Sequence, residues 1–527
     1  MSPARVRLPR RILLATALMA VAAACAPGPT TTSGAGGPLR IALPADPTCL
    51  DPQQTGQLAA MDISRSIVDT LTDQDPETGR IVPWLAESWT ISPDARSFTF
   101  VLRPGVTFSD GTTVDSTAVK STFDSLSRLP ANGAPAYIRG YTGTTVVDPR
   151  TFTVSFAMAN AQFLQATSGA GLGILSAATA ATPLEQRCRG QFVGSGPYVL
   201  DHYTANQEVV LRKRSDYTWP SSIATNKGAA HIDEVRFVFV PEAGARTGAL
   251  SSGQVQIAEN IQATDQNLFD GNGFRLLVTS APGVAPPLSL NHAGILSDQR
   301  VRQALSLAID RRDLVDSVVG TRAEPATSVL SSTTPFYTPT DNLRYDPVEA
   351  GRLLDEAAWV PGPDGIRVKD GRRLTLNWLI PAPMPAHNEY VQQRLRRIGV
   401  DVQLNVAPPA KYTEQQAAGN FDITAVAVTR ADPDVLRNLF YSKGQNLWHL
   451  PPTELDTYLE QQAAAVDDAT RQEAVTKAVS WILAHADTVP LYENAQVHGV
   501  AQQVGDLETD ASTRLDLHDA HLGESRP

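Results

Sequence analysis

Three thiols and one acidic doublet are the residues whose spacing could do chemistry here. Cys25 directly follows Ala22, Ala23 and Ala24, while Cys49 and Cys188 stand far apart in the body of the chain. A thiol behind small residues can be released by a peptidase and acylated, and two thiols in an oxidising space can join. Asp432-Pro433-Asp434 sets two carboxylates around a proline ahead of an apolar run, which suits either a helix cap or an anchor for a cationic group. Catalytic patterns do not occur. There is no GxSxG, HExxH or phosphate loop, and Gly169, Gly171 and Gly173 lack the spacing of a dinucleotide loop. The nine histidines are dispersed, with His518 and His521 in a tail read as surface, and no CxxC or Cys/His metal spacing is present. These patterns argue for a protein that binds rather than catalyses, without cofactor or metal.

The first cysteine closes an export signal. Arg5, Arg7, Arg10 and Arg11 give a basic start, and Ile12 to Ala24 is apolar apart from Thr16 over about 13 residues, whereas a helix that crosses a bilayer needs about 20. Residues 1–24 therefore read as a signal peptide and not as a permanent membrane span. Cys25 resembles the lipobox cysteine of bacterial lipoproteins, which takes a diacylglycerol, although that motif prefers Leu where this chain has Ala22; ordinary cleavage or a buried cysteine is the alternative. Residues 25–37, made mostly of Pro, Thr, Ser, Ala and Gly, form a flexible linker suited to a tether. Removing residues 1–24 takes away four Arg and no acid, so the formal net charge falls from -11 to -15, which argues against nucleic acid or an anionic surface as partner. About 490 residues beyond the linker, 42% hydrophobic overall, are too many for one core, and two or more lobes are expected. With Cys25 assigned to lipid, Cys49 and Cys188 remain as a pair and are expected to bond; two separate buried thiols are the alternative.

The elements follow from periodicity. Leu39 to Leu43 reads as a strand that empties into the Pro-rich loop 44–53, and Ile63, Ile67, Val68 and Leu71 place a helix over 61–71. Phe98, Phe100 and Leu102 alternate after a turn at 93–96, Phe152, Val154 and Phe156 alternate after another at 148–150, and Asp115 or Ser116 caps a helix bearing Val119, Phe123 and Leu126. Val301, Ala304, Leu305, Ala308 and Ile309 share one face of a helix within 297–319. Asp346-Pro347 opens the next helix. Alternation at 374–378, a helix at 390–398 and alternation at 400–406 then make a strand-helix-strand layer. Segments 281–291 and 486–494 read as two crossings between lobes.

Five stretches in order carry a resemblance: LAESWTISPDARSFTFVLRPGVTFSDGT (85–112), GSGPYVL (194–200), DQRVRQALSLAIDRRDLV (298–315), YDPVEAGRLLDEAAW (345–359) and LRRIGVDVQL (395–404). The chain resembles the oligopeptide- and dipeptide-binding class of solute receptors for bacterial ABC importers, extracellular solute-binding protein family 5, of the actinobacterial lipoprotein type. The resemblance implies an α/β, two-lobed periplasmic-binding-protein fold of type II with a two-strand hinge. Lobe I would take 38–285 and 489–527, with an inserted subdomain at about 60–185, and lobe II would take 286–488. It implies a monomer, tethered to the outer face of the cytoplasmic membrane, that captures a peptide or peptide-like solute and hands it to permease subunits. Ligand contacts would come from Thr48, Cys49 and Leu50 in the first lobe and from Thr429, Arg430, Asp432 and Asp434 in the second, with Asn291 and His292 near the first crossing. Relatives that bind peptides hold the ligand's amino terminus with an aspartate four residues before this proline, where the present chain has Thr429. A buried ammonium without a counter-charge is costly, so a free-amine peptide in that pose is disfavoured. A nickel chelate or a glycan is the alternative ligand, and a regulator or scaffold of envelope biosynthesis is the alternative role. Trp84 and Trp89 are expected to pack, and Gly194 and Gly196 to shape a turn.

Overall fold

Four of the five side chains of strand Leu39–Leu43 are buried, as an apolar run with sheet neighbours on both sides should be. In the computed structural model, which describes residues 37–129, 134–271 and 273–523, this strand runs parallel to Glu234–Phe239 on one side and Ile257–Ala258 on the other. Among the described residues the sheet has seven strands, in the order Phe274–Ser280, Ala495–Ala501, Ile257–Ala258, Leu39–Leu43, Glu234–Phe239, Glu208–Lys213 and Tyr198–Thr204. Its apolar face is closed by Leu39, Ile41, Val209, Phe237 and Val500. This is the first lobe.

The second lobe is built on a five-stranded sheet in the order Asp401–Ala407, Thr375–Pro381, Ile423–Thr424, Pro287–Leu290 and Thr488–Pro490. Helix His387–Arg397 connects Thr375–Pro381 to its parallel neighbour, the edge strand Asp401–Ala407, and Leu288, Val301, Leu376, Trp378 and Leu395 share the core. The chain passes between lobes twice, after Ser280 and after Pro490, and the two passages lie side by side. The Ala281 N–H donates to the Asn494 carbonyl at 3.0 Å and the Leu491 N–H to the Pro286 carbonyl at 3.0 Å. Such a pair of adjacent strands is a hinge.

A third module rests on the antiparallel sheet Ala86–Ile91, Ser97–Leu102, Thr151–Phe156 and Tyr141–Val146. The alternation read from the sequence puts Phe98, Phe100, Phe152 and Phe156 inward. Phe163 meets Phe98 with ring centroids 5.0 Å apart and Phe156 at 4.8 Å, both edge to face, and each buried ring contributes on the order of 1.5–3 kcal/mol. Asp115 caps helix Ser116–Leu126 by accepting the Ala118 N–H at 2.9 Å. Trp84 is buried and lies under the Arg65 guanidinium, 4.4 Å from ring to charge, while Trp89 packs half-buried on the module core.

Two helices differ from their periodicity. The one expected over 61–71 spans Leu58–Arg65 and stops there, because the Gly196 and Tyr198 N–H groups donate to the carbonyls of Ile67 and Ser66 at 2.9 and 3.0 Å. Gly196 is required by that approach, not by turn geometry, since a Cβ there would sit 2.5 Å from the Ile67 carbonyl carbon. The helix expected within 297–319 spans Gln299–Leu307 and restarts at Arg311–Leu314. At the break, the Asp310 carboxylate takes the Asp313 N–H at 3.0 Å, and the buried Arg311 donates from Nε to the Pro490 carbonyl at 2.8 Å. His518 lies buried rather than on the surface, 5.3 Å from the Tyr217 ring. No helix among the described residues is long and apolar enough to cross a membrane.

Candidate functional site

A cavity of about 500 Å³ opens between the lobes, within the roughly 300–1,000 Å³ that houses small ligands. Its first wall begins just past the first strand, at Pro52, Thr55 and Met61; a second comes from Tyr137, Gln165 and the small-residue stretch Gly169 to Leu172. The second lobe contributes Ala427 to Arg430; Asn494 and Gln496 come from the hinge strand, and Asp510, Ser512 and Arg514 from a C-terminal hairpin packed on the first-lobe core. Thr429 is held in place by pairing with Gly283 in a short antiparallel ladder. Gly283 has φ +111°, and an added Cβ would lie 2.0 Å from the Val428 carbonyl oxygen. Only glycine lets the hinge strand come so close.

Arg430 reaches from the second lobe to the third module. It is 3% exposed, its guanidinium stands 4.8 Å from the Tyr137 ring centroid, Nη2 donates to the Gln162 side-chain oxygen and Nε lies 3.5 Å from that of Gln165. Nη1 is buried with no acceptor. Further bonds tie the same surfaces together: Gln74 donates to the Ala431 carbonyl at 3.0 Å, Arg437 to Asn160 at 3.2 Å and the Ala161 N–H to the Ala463 carbonyl at 2.8 Å.

Of the residues expected to touch ligand, Thr429 and Arg430 line the cavity. Thr48, Cys49 and Leu50 do not. Cys49 is bonded to Cys188, the Leu50 N–H donates to the Cys188 carbonyl at 2.8 Å, and the Leu50 side chain lies in the first-lobe core; Thr48 is exposed and hydrogen-bonds within its own turn. Asn291 and His292 also lie elsewhere. Asn291 donates to the Phe421 carbonyl at 2.9 Å and contacts His449 at 3.0 Å. His292 Nε2 is 3.7 Å from Asp487, and burial, with Arg302 nearby, lowers its pKa to about 4. Both are spent inside the second lobe. Asp432 pairs with Arg471 at 2.7 Å and accepts the Asp434 N–H at 2.7 Å. Asp434 stands at the cap position of helix Val435–Phe440 but makes no cap bond, holding Arg437 at 2.8 and 3.0 Å instead. Neither carboxylate is among the cavity's lining residues. Cys25 lies outside the described residues.

Sequence reading missed Tyr137, Gln165, the hinge amides and the whole C-terminal hairpin. The run of small residues at 168–173 was the one signal available, since a Cβ added at Gly171 would stand 3.6 Å from the Tyr137 ring.

Charge in and behind the cavity is uneven. The Asp510 carboxylate accepts the Ser512 and Arg514 N–H groups on Oδ1 at 2.8 and 2.9 Å, and its Oδ2 lies 3.8 Å from Arg65, so its charge is shared with a cation of its own chain. Behind the lining are two buried carboxyls, Asp62 and Glu259. Burial pushes Asp62 up to about 7 against the opposing Arg514 charge and the Leu515 N–H, and burial together with Asp62 pushes Glu259 well above the usual carboxylate range. Among the described residues no group of three or more His, Cys, Asp or Glu is placed to hold a metal.

With that geometry in view, the model for bacterial extracellular solute-binding proteins, family 5 Middle, matches residues 80–448. The glutathione-binding protein GsiB of Shigella flexneri is 25% identical over 503 residues, covering 92% of this chain and 94% of its own. Among solved structures, NikA from Brucella suis in complex with Fe(III)-EDTA superposes with a TM-score of 0.79 at 22% identity, covering 92% of this chain and 100% of that one. The oligopeptide-binding protein AppA from Bacillus subtilis, in complex with a nonapeptide, superposes at 0.78 and 20% identity, covering 93% and 99%. The fold is thus the two-lobed periplasmic-binding-protein architecture, and a solute-binding role accounts for a sequence without catalytic motifs. The family model covers well over half of the sequence, and the chain belongs to the bacterial extracellular solute-binding proteins of family 5.

Proposed function

We propose that this protein is a membrane-tethered receptor that captures a peptide-like solute between its lobes and presents it to the permease of an ABC importer. The observation that carries the proposal is the cavity of about 500 Å³ whose lining comes from both lobes, the hinge and the C-terminal hairpin at once. A solute touching all of these walls stabilises the shut arrangement over an open one, and the shut form is the signal a permease can read. Glutathione, the ligand named for GsiB, and short peptides, the class named for AppA, are the first solutes to try. A crevice of this volume lined from both lobes fits capture better than a purely scaffolding role in the envelope. The lobe limits 38–285 with 489–527 and 286–488, a lipid on Cys25 and a monomeric state complete the reading, with the linker 25–37 as tether. Thermal unfolding of the exported protein is the test. Glutathione or a di- to tetrapeptide is expected to raise Tm in proportion to the logarithm of its concentration above Kd; no shift across glutathione and a peptide library would overturn the capture role.

A further inference from the structure

We propose that the captured solute is an anion with two carboxylates, held by Arg430 from the second lobe and Arg514 from the C-terminal hairpin. The proposal rests on the crevice being the solute site and adds the charge of its occupant.

Nine arginines are buried among the described residues. Six of them, all but Arg430, Arg246 and Arg311, lie within 4.0 Å of a carboxylate, as Arg187 does with Asp51 at 2.8 Å and Arg437 with Asp434 at 2.8 Å. Arg246 and Arg311 lack a carboxylate but place all three guanidinium nitrogens on oxygen acceptors. Arg430 alone has neither, for its partners are two neutral amide oxygens and Nη1 has none. A guanidinium withdrawn from water without counter-charge is costly, and a carboxylate, planar and bidentate, is the group that best offsets that cost.

Arg514 stands at the same cavity, and its side chain makes neither an ion pair within 4.0 Å nor a hydrogen bond to any described residue. The carboxyls its charge reaches are Asp62 and Glu259. Both are held toward the protonated form by burial, so neither is a full counter-charge. The lining acid, Asp510, is already committed to two N–H groups and Arg65, and position 429 offers a hydroxyl where a carboxylate would meet an ammonium. The cavity therefore presents two uncommitted cations and no uncommitted anion. Because Arg430 and Arg514 come from different lobes, a dicarboxylate spanning them ties the lobes together, which is what capture requires.

Calorimetric titration of the exported protein with N-acetyl-Glu-Glu, a tricarboxylate without an amine, against the uncharged N-acetyl-Gln-Gln amide is the test. At least tenfold tighter binding of the acidic probe is expected, with Arg430→Gln and Arg514→Gln each removing at least tenfold of that affinity and Arg430→Lys restoring part of it. Equal binding of the two probes, or no loss in both glutamine variants, would overturn the charge assignment while leaving the receptor reading intact. Failure of the acidic probe to bind while neutral peptides bind has the same meaning. Failure of both probes, of glutathione and of the peptide library would overturn the receptor reading as well. The probe comparison on wild-type protein needs no variant, so it stands even if a substitution impairs folding.

Discussion

The crevice of about 500 Å³ and a second hollow of about 450 Å³ are lined by consecutive residues of one segment, Ala427 to Arg430 facing the first and Ala431 and Asp432 the second, with Gln165 bordering both. In the second hollow Asp432 is matched by Arg471 at 2.7 Å, and a turn further on Asp434 is matched by Arg437 and by Gln462. In the first, Arg430 and Arg514 have no carboxylate partner. Buried charges that meet a partner from their own chain hold the second lobe's shape; those left without one mark where something else must bind. The difference falls between residues 430 and 432 of one short loop.

The largest expected effect breaks the matched side. Asp434→Ala leaves Arg437 buried without its counter-charge and should cost about 3–5 kcal/mol in urea unfolding, whereas Arg430→Gln removes a buried charge that has no counter-charge and should leave stability unchanged or raise it. Equal costs would erase the distinction between the two hollows. Next is Gly283→Ala, which forces a Cβ against the Val428 carbonyl and pushes Thr429 and Arg430 from their places; a loss of about 1–3 kcal/mol together with weakened binding is expected, and unchanged binding would show that this ladder does not set the site. Thr429→Asp supplies Arg430 with an internal partner. It should lower affinity for N-acetyl-Glu-Glu by more than about tenfold, or 1.4 kcal/mol, and an unaltered affinity would contradict the role given to Arg430.

The smallest effect is a slope. Asp62 has its pKa raised from 3.8 to about 7, chiefly by burial, so between those values the folded chain keeps a proton that the unfolded chain has lost. Its contribution to stability is therefore full below about pH 4, falls as pH rises toward 7 and is level above. Asp62→Asn removes this term, and the Tm of the variant relative to wild type should climb from pH 4 to pH 7. A constant difference would show that Asp62 titrates normally.

How much of this was legible in the sequence depends on the range of the interaction. Alternation at Phe98, Phe100, Leu102 and at Phe152, Val154, Phe156 and the Asp-Pro cap at 346–347 are local, and they reappear as strands and a capped helix. The helix end at Arg65 was not legible, because the groups that take the Ser66 and Ile67 carbonyls lie about 130 residues away. The first-lobe wall was placed at Thr48 to Leu50, which the bond to Cys188 and core packing draw aside, and the lining begins at Pro52. The hairpin at 508–516 carries no periodicity that marks Arg514 as a lining residue. Asp432 and Asp434, conspicuous in sequence, proved to be partners of Arg471 and Arg437. Polar residues advertise themselves equally whether they serve a ligand or a neighbouring side chain, and only their partners tell which.

Native mass spectrometry of the protein purified from an exporting host, wild type beside Thr429→Trp, tests most directly whether this crevice is where the solute sits. The account predicts a small acidic molecule that travels with the wild-type protein, is released on denaturation and is missing from the plugged variant. The same molecule bound equally by both proteins would place the site elsewhere and contradict it.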